Sequence, residues 1–393
     1  MKKILLITAI ASMSLASCVN DEVVNPSNQA NQKIMFDSPV MYSNETTRAN
    51  VYGEIGAHTE GILSYTYPKA ENFVIYAISH EGDFAGWANG TAAAFNGTAI
   101  SYESSIDGWA PKTSDGKYYY WENGKKMSFA ASSPADLEQT WGDANRSYGP
   151  TGLIIKDFEV SADPAKQFDL LFSTRVCNQT SANMLHEASY YSGIPIKFQH
   201  ALSSIRFSIG NSAYSTETVV LTGIELNGVK YKGTFNENIV EQTTDYALYD
   251  REENVTPAWT VADNIISNPY TAFAGTAVFP ESAKYVSQIV AEDASNTSTV
   301  NQLLLMPQEL TDEVILTVHY TVNGSANTKS IPLKGLISGP NADDPKVPIT
   351  AWEMGKRYIY RLHYSAATAA KDKIYFSPST EEWEDVKVIV VEL

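Results

Sequence analysis

Cysteine is scarce in this chain of 393 residues, which has only Cys18 and Cys177. A framework of several disulfides is therefore excluded, and no paired CxxC motif is available to bind zinc. Basic residues are also few, with 28 Lys and Arg against 45 Asp and Glu and a formal net charge of -17. Because Lys125-Lys126 is the only basic cluster in the body of the chain, nucleic acid and anionic lipid surfaces are poor candidates as partners.

The motifs of common enzymes are missing as well. The sequence contains no HExxH, Walker-type or GxSxG motif, so it lacks the usual signatures of metalloproteases, nucleotide-binding proteins and serine hydrolases. The acids around Trp383 could supply paired carboxylates of the glycosidase type, but acids so close in sequence more often form a solvated turn. These acids are Glu381, Glu382, Glu384 and Asp385. We expect no enzymatic activity, no metal site and no cofactor.

Histidines and tryptophans offer few other candidate sites. His200 lies on the apolar phase of a predicted strand, which favours a hydrogen-bonded core histidine, whereas His319 and His363 lie on the opposite phase and are expected to be solvated. Trp121 and Trp352 stand in strand-like patterns and are expected in the core. Three tryptophans in loops rich in Gly, Asp and Ser are candidate contacts to a glycan or host protein. They are Trp87, Trp109 and Trp141.

The longest apolar run near the N-terminus, Ile4 to Leu15, has 12 residues and follows Lys2-Lys3. A bilayer-spanning helix needs about 20, so the run predicts a secretory signal over residues 1–17. The sequence Leu15-Ala16-Ser17-Cys18 resembles a bacterial lipobox, which implies a diacylglyceryl and palmitate anchor on Cys18. The alternative is an ordinary signal peptide with an incidental cysteine. Residues 18–33 are then a polar tether.

Hydrophobic residues elsewhere alternate with a period of two, which predicts an all-β fold with little helix. The run from Val314 to Val322 is the clearest case, and it ends at Asn323-Gly324, a preferred pair for a hairpin turn. Further Asn-Gly pairs, expected to form turns, begin at Asn89, Asn96, Asn123 and Asn227. Cys177 is expected to be a small buried hydrophobe.

A second alternating run, from Ile194 to Leu202, changes phase at Ser203-Ser204 and continues through Ile205 and Phe207. One inserted residue of this kind predicts a β-bulge. Gly210-Asn211-Ser212 follows, and we place a domain boundary there, with 49–211 and 212–393 as two lobes; a boundary as late as Gly223 is the alternative.

Residues 34–48 form a separate segment behind the tether. Ile34, Phe36, Val40 and Tyr42 alternate as in a partly buried strand, and a polar stretch then ends at Arg48. A basic residue in an exposed loop is a common site of cleavage by trypsin-like proteases. An ordinary surface arginine is the alternative.

With these features in order, the chain resembles the fimbrillins, the type V pilin subunits of anaerobic Gram-negative bacteria. The likeness rests on the lipobox, on "TTRA" at residues 46–49 and on landmarks along nearly the whole chain. The longest of these are "YYYWENGKKMSFAASSP" (118–134), "IPIKFQHALSSIRFSI" (194–209), "WEMGKRYIYRLHY" (352–364) and "IYFSPSTEEWEDV" (374–386). The resemblance implies two transthyretin-like β-sandwich lobes in tandem.

It also implies a route of assembly. A lipid-anchored precursor reaches the outer membrane, and an arginine-specific protease cuts after Arg48, which makes Ala49 the new N-terminus. Loss of the first strand opens a groove in the N-terminal lobe, and a strand from another fimbrial subunit fills it by donor-strand exchange. Other fimbrial subunits and the protease are then the partners, and the surface fimbrium is the final location.

The C-terminal run from Val386 to Leu393 carries Val386, Val388 and Val390 on one face. It is either the donor strand or the last core strand of the C-terminal lobe. The leading hypothesis is therefore a structural and adhesive fimbrial subunit. The alternatives are a tip or accessory adhesin that binds a host protein or glycan, and a monomeric surface lipoprotein that binds glycans.

Overall fold

The structure is a computed structural model that describes residues 33–36, 40–41, 65–67, 69–84, 86–87, 93–105, 108–122, 124–137, 145–173, 175–180, 193–194, 196–211, 217–239, 257–279, 302–338, 347–365, 373–382 and 386–387. Nearly every element in these ranges is a β-strand, which confirms the predicted all-β fold. A 3-10 turn, Pro164–Lys166, is the helical exception among the named elements.

Short strands follow one another along the whole described chain. In chain order they are β1 (Val40–Met41), β2 (Tyr65–Thr66), β3 (Phe73–His80), β4 (Ala93–Glu103), β5 (Gly108–Ala110), β6 (Lys126–Ser133), β7 (Arg146–Gly149), β8 (Gly152–Glu159), β9 (Leu171–Ser173), β10 (Val176–Gln179), β11 (Lys197–His200), β12 (Ser203–Asn211) and β13 (Val219–Asn227). They continue as β14 (Lys232–Asn236), β15 (Ala258–Val261), β16 (Tyr270–Val278), β17 (Gln302–Leu305), β18 (Gln308–Glu309), β19 (Ile315–Val322), β20 (Ser325–Pro332), β21 (Ile337–Ser338), β22 (Val347–Pro348), β23 (Ala351–Trp352), β24 (Lys356–Ser365), β25 (Lys373–Glu382) and β26 (Val386–Lys387).

The N-terminal half is organised around one nine-stranded sheet. Its order is β2-β1-β11-β9-β6-β3-β4-β5, and β10 also pairs with β6. Strand β3 is buried on both faces because the sheet has an apolar layer on each side. Phe73, Ile75 and Ala77 belong to a core cluster that includes Ile34 and Phe36. The alternate residues of β3 belong to a second, larger cluster that extends into the C-terminal half.

Two sheets make up most of the C-terminal half. Their orders are β17-β12-β24-β25-β26 and β16-β13-β19-β20. The predicted alternation of β19 is confirmed, since Leu316, Val318 and Tyr320 are buried and the residues between them are partly exposed. Strands β19 and β20 form the predicted hairpin, and Asn323 and Gly324 both have positive φ angles, 50° and 82°. Positive φ at both central residues is what a type I′ turn requires.

A fourth sheet takes strands from both halves of the chain. Its order is β15-β14-β8-β7, so β8 from the N-terminal half pairs with β14 from the C-terminal half. Beyond β14, the buried carboxylate of Glu237 accepts a hydrogen bond from the backbone amide of Leu153 at 2.8 Å. The amide of Glu237 donates to the carbonyl oxygen of Leu153 at 2.9 Å. The two halves are thus joined by backbone hydrogen bonds and not only by the connecting chain.

Arg175 ties this shared sheet to the nine-stranded sheet. The guanidinium donates from Nε to the Tyr148 hydroxyl at 2.9 Å, and from Nη2 to the carbonyl oxygens of Gly149 and Pro150 at 3.0 and 2.9 Å. It also lies near the rings of Phe84, Trp87 and Tyr148, at 5.5–5.7 Å from their centroids. Burial raises the pKa of Tyr148 well above its ordinary value. The phenol therefore remains neutral beside the guanidinium.

The phase change at Ser203-Ser204 is a change of sheet, not the predicted β-bulge. Strand β11 ends at His200 in the nine-stranded sheet, and β12 begins at Ser203 between β17 and β24 of the C-terminal sheet. A strand that leaves one sheet and enters another can change the phase of its buried residues, just as a bulge does. The change of sheet therefore precedes Asn211, the residue at which the sequence suggested a boundary.

The Asn96-Gly97 pair is not a turn either. Both residues lie inside β4, and Tyr76 pairs with Asn96 while Ile75 pairs with Thr98, so Gly97 is the extra residue of a bulge. Its φ angle of 72° is one that glycine adopts without steric cost. The pair thus bends a long strand instead of ending it.

Candidate functional site

The first described segment, residues 33–36, lies inside the core of the N-terminal half. Ile34 and Phe36 have no exposed surface, while Lys33 and Met35, which precede them, are partly exposed. This is the alternation that the sequence predicts for a strand with one buried face. We call the cavity that holds Ile34 and Phe36 the first-segment groove; its walls include Trp109, Tyr119 and Ile194.

Backbone hydrogen bonds hold the segment on both sides. The amide of Ile34 donates to the carbonyl oxygen of Tyr119 at 2.9 Å, and the amide of Phe36 donates to that of Trp109 at 2.8 Å. On the other side, the amide of Ile194 donates to the carbonyl oxygen of Met35 at 2.8 Å. The segment is antiparallel to the first wall and parallel to the second. It therefore occupies the position of a strand inserted between two others.

Phe36 lies at the centre of an aromatic cluster. Its ring meets Phe73 at a centroid distance of 6.0 Å and Phe129 at 5.5 Å, with interplanar angles of 87° and 88°. Such edge-to-face pairs contribute about 0.5–1.5 kcal/mol each beyond the area that they bury. Phe73 in turn packs edge-to-face against Phe198 of β11. A ring at position 36 therefore packs against the neighbouring strands β3 and β6, and Phe73 links it to β11.

Strand β1 extends the same segment. Val40 and Met41 pair in parallel with Lys197 and Phe198 of β11, and antiparallel with β2 on the other side. Residues 37–39 and 42–50 lie outside the described residues, and Arg48 and Ala49 are among them. Cys18 also lies outside them. Lipidation and cleavage therefore stay predictions, whereas residues 33–36 and 40–41 of the piece that cleavage would release are described.

Charges gather at the start of the groove. The Lys33 ammonium lies over the Tyr118 ring at 4.1 Å from its centroid, and that of Lys112 lies 5.1 Å from the same ring. Lys112 also pairs with a Glu103 carboxylate oxygen at 2.6 Å. The hydrogen bond from Lys112 to Glu103 raises the pKa of the lysine. A basic residue just before Ile34 is thus accommodated by an aromatic face.

The C-terminal run begins at the edge of a sheet. In β26, Val386 pairs with Glu381 and Lys387 pairs with Thr380 of β25, and β26 is the last described strand of its sheet. Val388 and Val390 lie outside the described residues. The start of the run is therefore an edge strand of its own subunit.

The tryptophans expected to contact a ligand are placed differently. Trp87 and Trp109 are buried, with 6% and 1% of their surface exposed, and Trp109 lies in β5 as part of the groove wall. The expectation that these two indoles are available to a ligand is wrong, because the loop-like composition around them gave no sign that each ring fills a core cluster. Trp141 lies outside the described residues. Trp121 and Trp352 are buried as predicted.

The remaining candidate groups have structural environments. His200 is buried, and its Nδ1 lies 2.7 Å from a carboxylate oxygen of the buried Asp169, in agreement with a core histidine. His319 is partly exposed, lies near Glu225 and shares a hydrogen bond with Thr328 at 3.1 Å. Cys177 is buried as predicted. The side chains around Trp383 and the ring of His363 lie outside what the structure describes.

The described residues offer neither a metal site nor a membrane span. Within them, no group of three or more His, Cys, Asp or Glu side chains is placed to hold a metal ion. Nor does any helix in the described part of the chain reach the length and apolar character needed to cross a membrane.

One of the comparisons with known proteins identifies a family. A family model described as fimbrillin-like matches residues 68–383. A search of curated proteins returns no match. Three solved structures similar to this chain are a fimbrial protein from Bacteroides vulgatus (16% identity, 79% of this chain and 92% of that chain covered, TM-score 0.45), the tip fimbrial protein Mfa3 from Porphyromonas gingivalis with a C-terminal truncation (11%, 82% and 94%, 0.32), and a fimbrial assembly protein from Parabacteroides distasonis (10%, 81% and 90%, 0.32).

The family match begins just after β2 and ends just after β25, so it covers strands of every large sheet. The first segment at residues 33–36 precedes it. On the extent of this match, the chain belongs to the fimbrillin-like family.

Proposed function

We propose that this protein is a subunit of surface fimbriae, exported as a lipoprotein through Cys18 and matured by cleavage after Arg48. The observation that supports the proposal is the complete burial of Ile34 and Phe36 between two backbone partners. Cleavage after Arg48 would separate this segment from the 345 residues that follow, and with it the lipid anchor. The membrane anchor and the occupant of the groove are therefore on the same removable piece.

Removal of the segment leaves a surface that is costly to expose. Fully burying one large apolar side chain stabilises a protein by about 1.5–3 kcal/mol, so the groove without Ile34 and Phe36 loses several kcal/mol of burial. Strand β11 also loses its parallel partner β1. An extended strand from another subunit would restore both the backbone hydrogen bonds and the apolar contacts. Assembly is thus driven by the same interactions that hold the first segment.

The C-terminal run is the proposed donor strand, with Val386, Val388 and Val390 as the residues that enter the groove of a neighbouring fimbrial subunit. Its first two residues form the edge strand β26, which has a partner on one side only among the described strands. An edge strand leaves its sheet at a smaller cost in backbone hydrogen bonds than an inner strand does. The same apolar run could therefore pair within its own subunit before assembly and with a neighbour afterwards.

Cleavage after Arg48 can be tested with two matched variants expressed in the native cells. Arg48→Ala removes the side chain, and Arg48→Lys keeps the charge but not the guanidinium. With an arginine-specific protease, both variants should remain lipidated and monomeric, whereas the unaltered protein in sheared fimbriae should begin at Ala49. The measurement is N-terminal sequencing with intact mass. Fimbriae built from the Arg48→Ala variant would contradict the proposal.

Truncation after Asp385 tests the role of the C-terminal run and separates the two fimbrial functions. A stalk subunit without residues 386–393 should remain folded, still be cut after Arg48 and fail to receive the next subunit. A tip or accessory adhesin should keep its position and its binding. Normal fibre length with the truncated chain as the only source of this subunit would argue against a donor strand in that run.

A further inference from the structure

One position in the first-segment groove is large enough for an aromatic ring. Phe36 has no exposed surface and meets two phenylalanine rings edge-to-face, so its ring packs on the face formed by the paired strands β3 and β6. The Ile34 position, two residues before, holds an aliphatic side chain. The groove therefore fits a strand with a large aliphatic residue and an aromatic residue on the same face.

The chain's own C-terminal run carries side chains of the same type as the first segment at every position except that of Phe36. Lys33-Ile34-Met35-Phe36 corresponds to Lys387-Val388-Ile389-Val390, in which a basic residue again precedes two inward-facing side chains. In this register the ammonium of the lysine would again meet the Tyr118 ring, and Val388 would replace Ile34. Val390 would then replace Phe36 and leave much of its space empty.

No other register corrects the mismatch. Residues 386–393 contain only Val, Ile, Leu, Lys and Glu, so the run offers no aromatic residue in any register or in either direction. Protein interiors are closely packed, and a cavity left by a smaller side chain is destabilising because the surrounding atoms relax only partly. The chain's C-terminal run is thus suited to a groove with a smaller pocket than its own.

We propose that the first-segment groove receives a strand from a different fimbrial subunit, one that carries an aromatic residue at the place of Phe36, and not the C-terminal run of a second copy of this chain. The inference rests on the proposed function, because it concerns the same groove after cleavage. It predicts that this subunit alternates with others or has a fixed neighbour in the fibre. A chain of identical copies would leave the pocket unfilled at every joint.

The expected discrimination follows from the contacts of Phe36. Two edge-to-face pairs and the volume of the ring are lost when valine takes its place, and we expect an affinity at least about tenfold lower for the valine strand.

The test is a displacement experiment on the full chain after cleavage. A recognition sequence for a site-specific protease is placed next to Arg48, the folded protein is cut there, and a fluorophore near residue 32 reports release of the first segment. Four peptides compete for the groove: residues 32–43, residues 384–393, and the latter with Val390→Phe or with Val388→Phe. The last two have the same composition and differ only in which pocket receives the ring.

The peptide of residues 32–43 should displace the label, and Val390→Phe should do so at least about tenfold more tightly than residues 384–393. Val388→Phe should show no such gain, because the Ile34 position holds an aliphatic residue. If even the peptide of residues 32–43 fails to exchange, the groove does not reopen and the proposed function fails. If that peptide exchanges but Val390→Phe binds no better than the unaltered run, the inference that the partner strand needs an aromatic residue at this position is overturned.

Discussion

Replacing Phe36 by alanine should destabilise the uncut protein far more than its position near the N-terminus would suggest. The side chain is fully buried and contacts Phe73 and Phe129 edge-to-face. Burial of a phenylalanine makes truncation to alanine cost about 3–5 kcal/mol, and the loss of two aromatic contacts places this site in the upper part of that range. Met35 supplies a matched control, because it is the adjacent residue and points the other way.

Met35→Ala should cost no more than about 1 kcal/mol, since its side chain is partly exposed. Urea unfolding followed by tryptophan fluorescence measures both variants, and Trp109 and Trp121 lie in the same core cluster as Phe36. The change in midpoint at equal slope gives the change in the free energy of unfolding. Equal midpoints for the two variants would refute the claim that the first segment is an integral part of this core.

Two further predictions concern other parts of the chain. Gly228→Ala should destabilise the protein by more than Gly324→Ala does. At Gly324 only the left-handed backbone conformation is unfavourable, at a cost of about 1–2 kcal/mol, because the space around it is open. At Gly228 an added Cβ would also overlap the carbonyl oxygen of Glu313. Similar melting temperatures for the two variants would contradict the close approach of Gly228 to Glu313. The Lys117 ammonium and then the Thr113 hydroxyl lower the pKa of Asp115 from 3.8 to about 2. The stabilising contribution of this carboxylate is therefore complete above about pH 3.8 and is lost as the pH falls through about 2. Lys117→Ala should raise the pKa of Asp115 toward 3.8 in an NMR titration, and an unchanged pKa would mean that the pair does not form in solution.

Strands with one buried face were predicted well because their pattern is local. In β19 the alternate residues Leu316, Val318 and Tyr320 are buried. The hairpin turn that follows needs two residues that tolerate positive φ, as Asn323 and Gly324 do. The same reasoning identified Ile34 and Phe36 as inward-facing residues of a strand. Both inferences needed only the period of two and the chemistry of a turn.

Features set by distant partners were not predicted. A change of phase at Ser203 is equally consistent with a bulge and with a change of sheet, and only the pairing of β12 with β17 and β24 distinguishes them. Polar neighbours around Trp109 suggested a loop, but the rings of Tyr67 and Tyr102 come from elsewhere in the chain to pack against that indole. The aromatic requirement of the groove likewise depends on Phe73 and Phe129, which are far from Phe36 in sequence.

The pairing of β8 with β14 has a mechanical consequence for a fibre. In the proposed fibre, tension between a strand seated in the first-segment groove and a strand leaving the C-terminal half would pass through the joint between the halves. Three residues reinforce that joint through side-chain or backbone groups: Glu237, Leu153 and Arg175. The backbone hydrogen bonds between β8 and β14 share such a load, because several of them must break together before the halves separate. A single connecting chain would instead extend under the same load. The subunit should therefore transmit force as one stiff link, and extension under load should occur at the joints between subunits before it occurs within them.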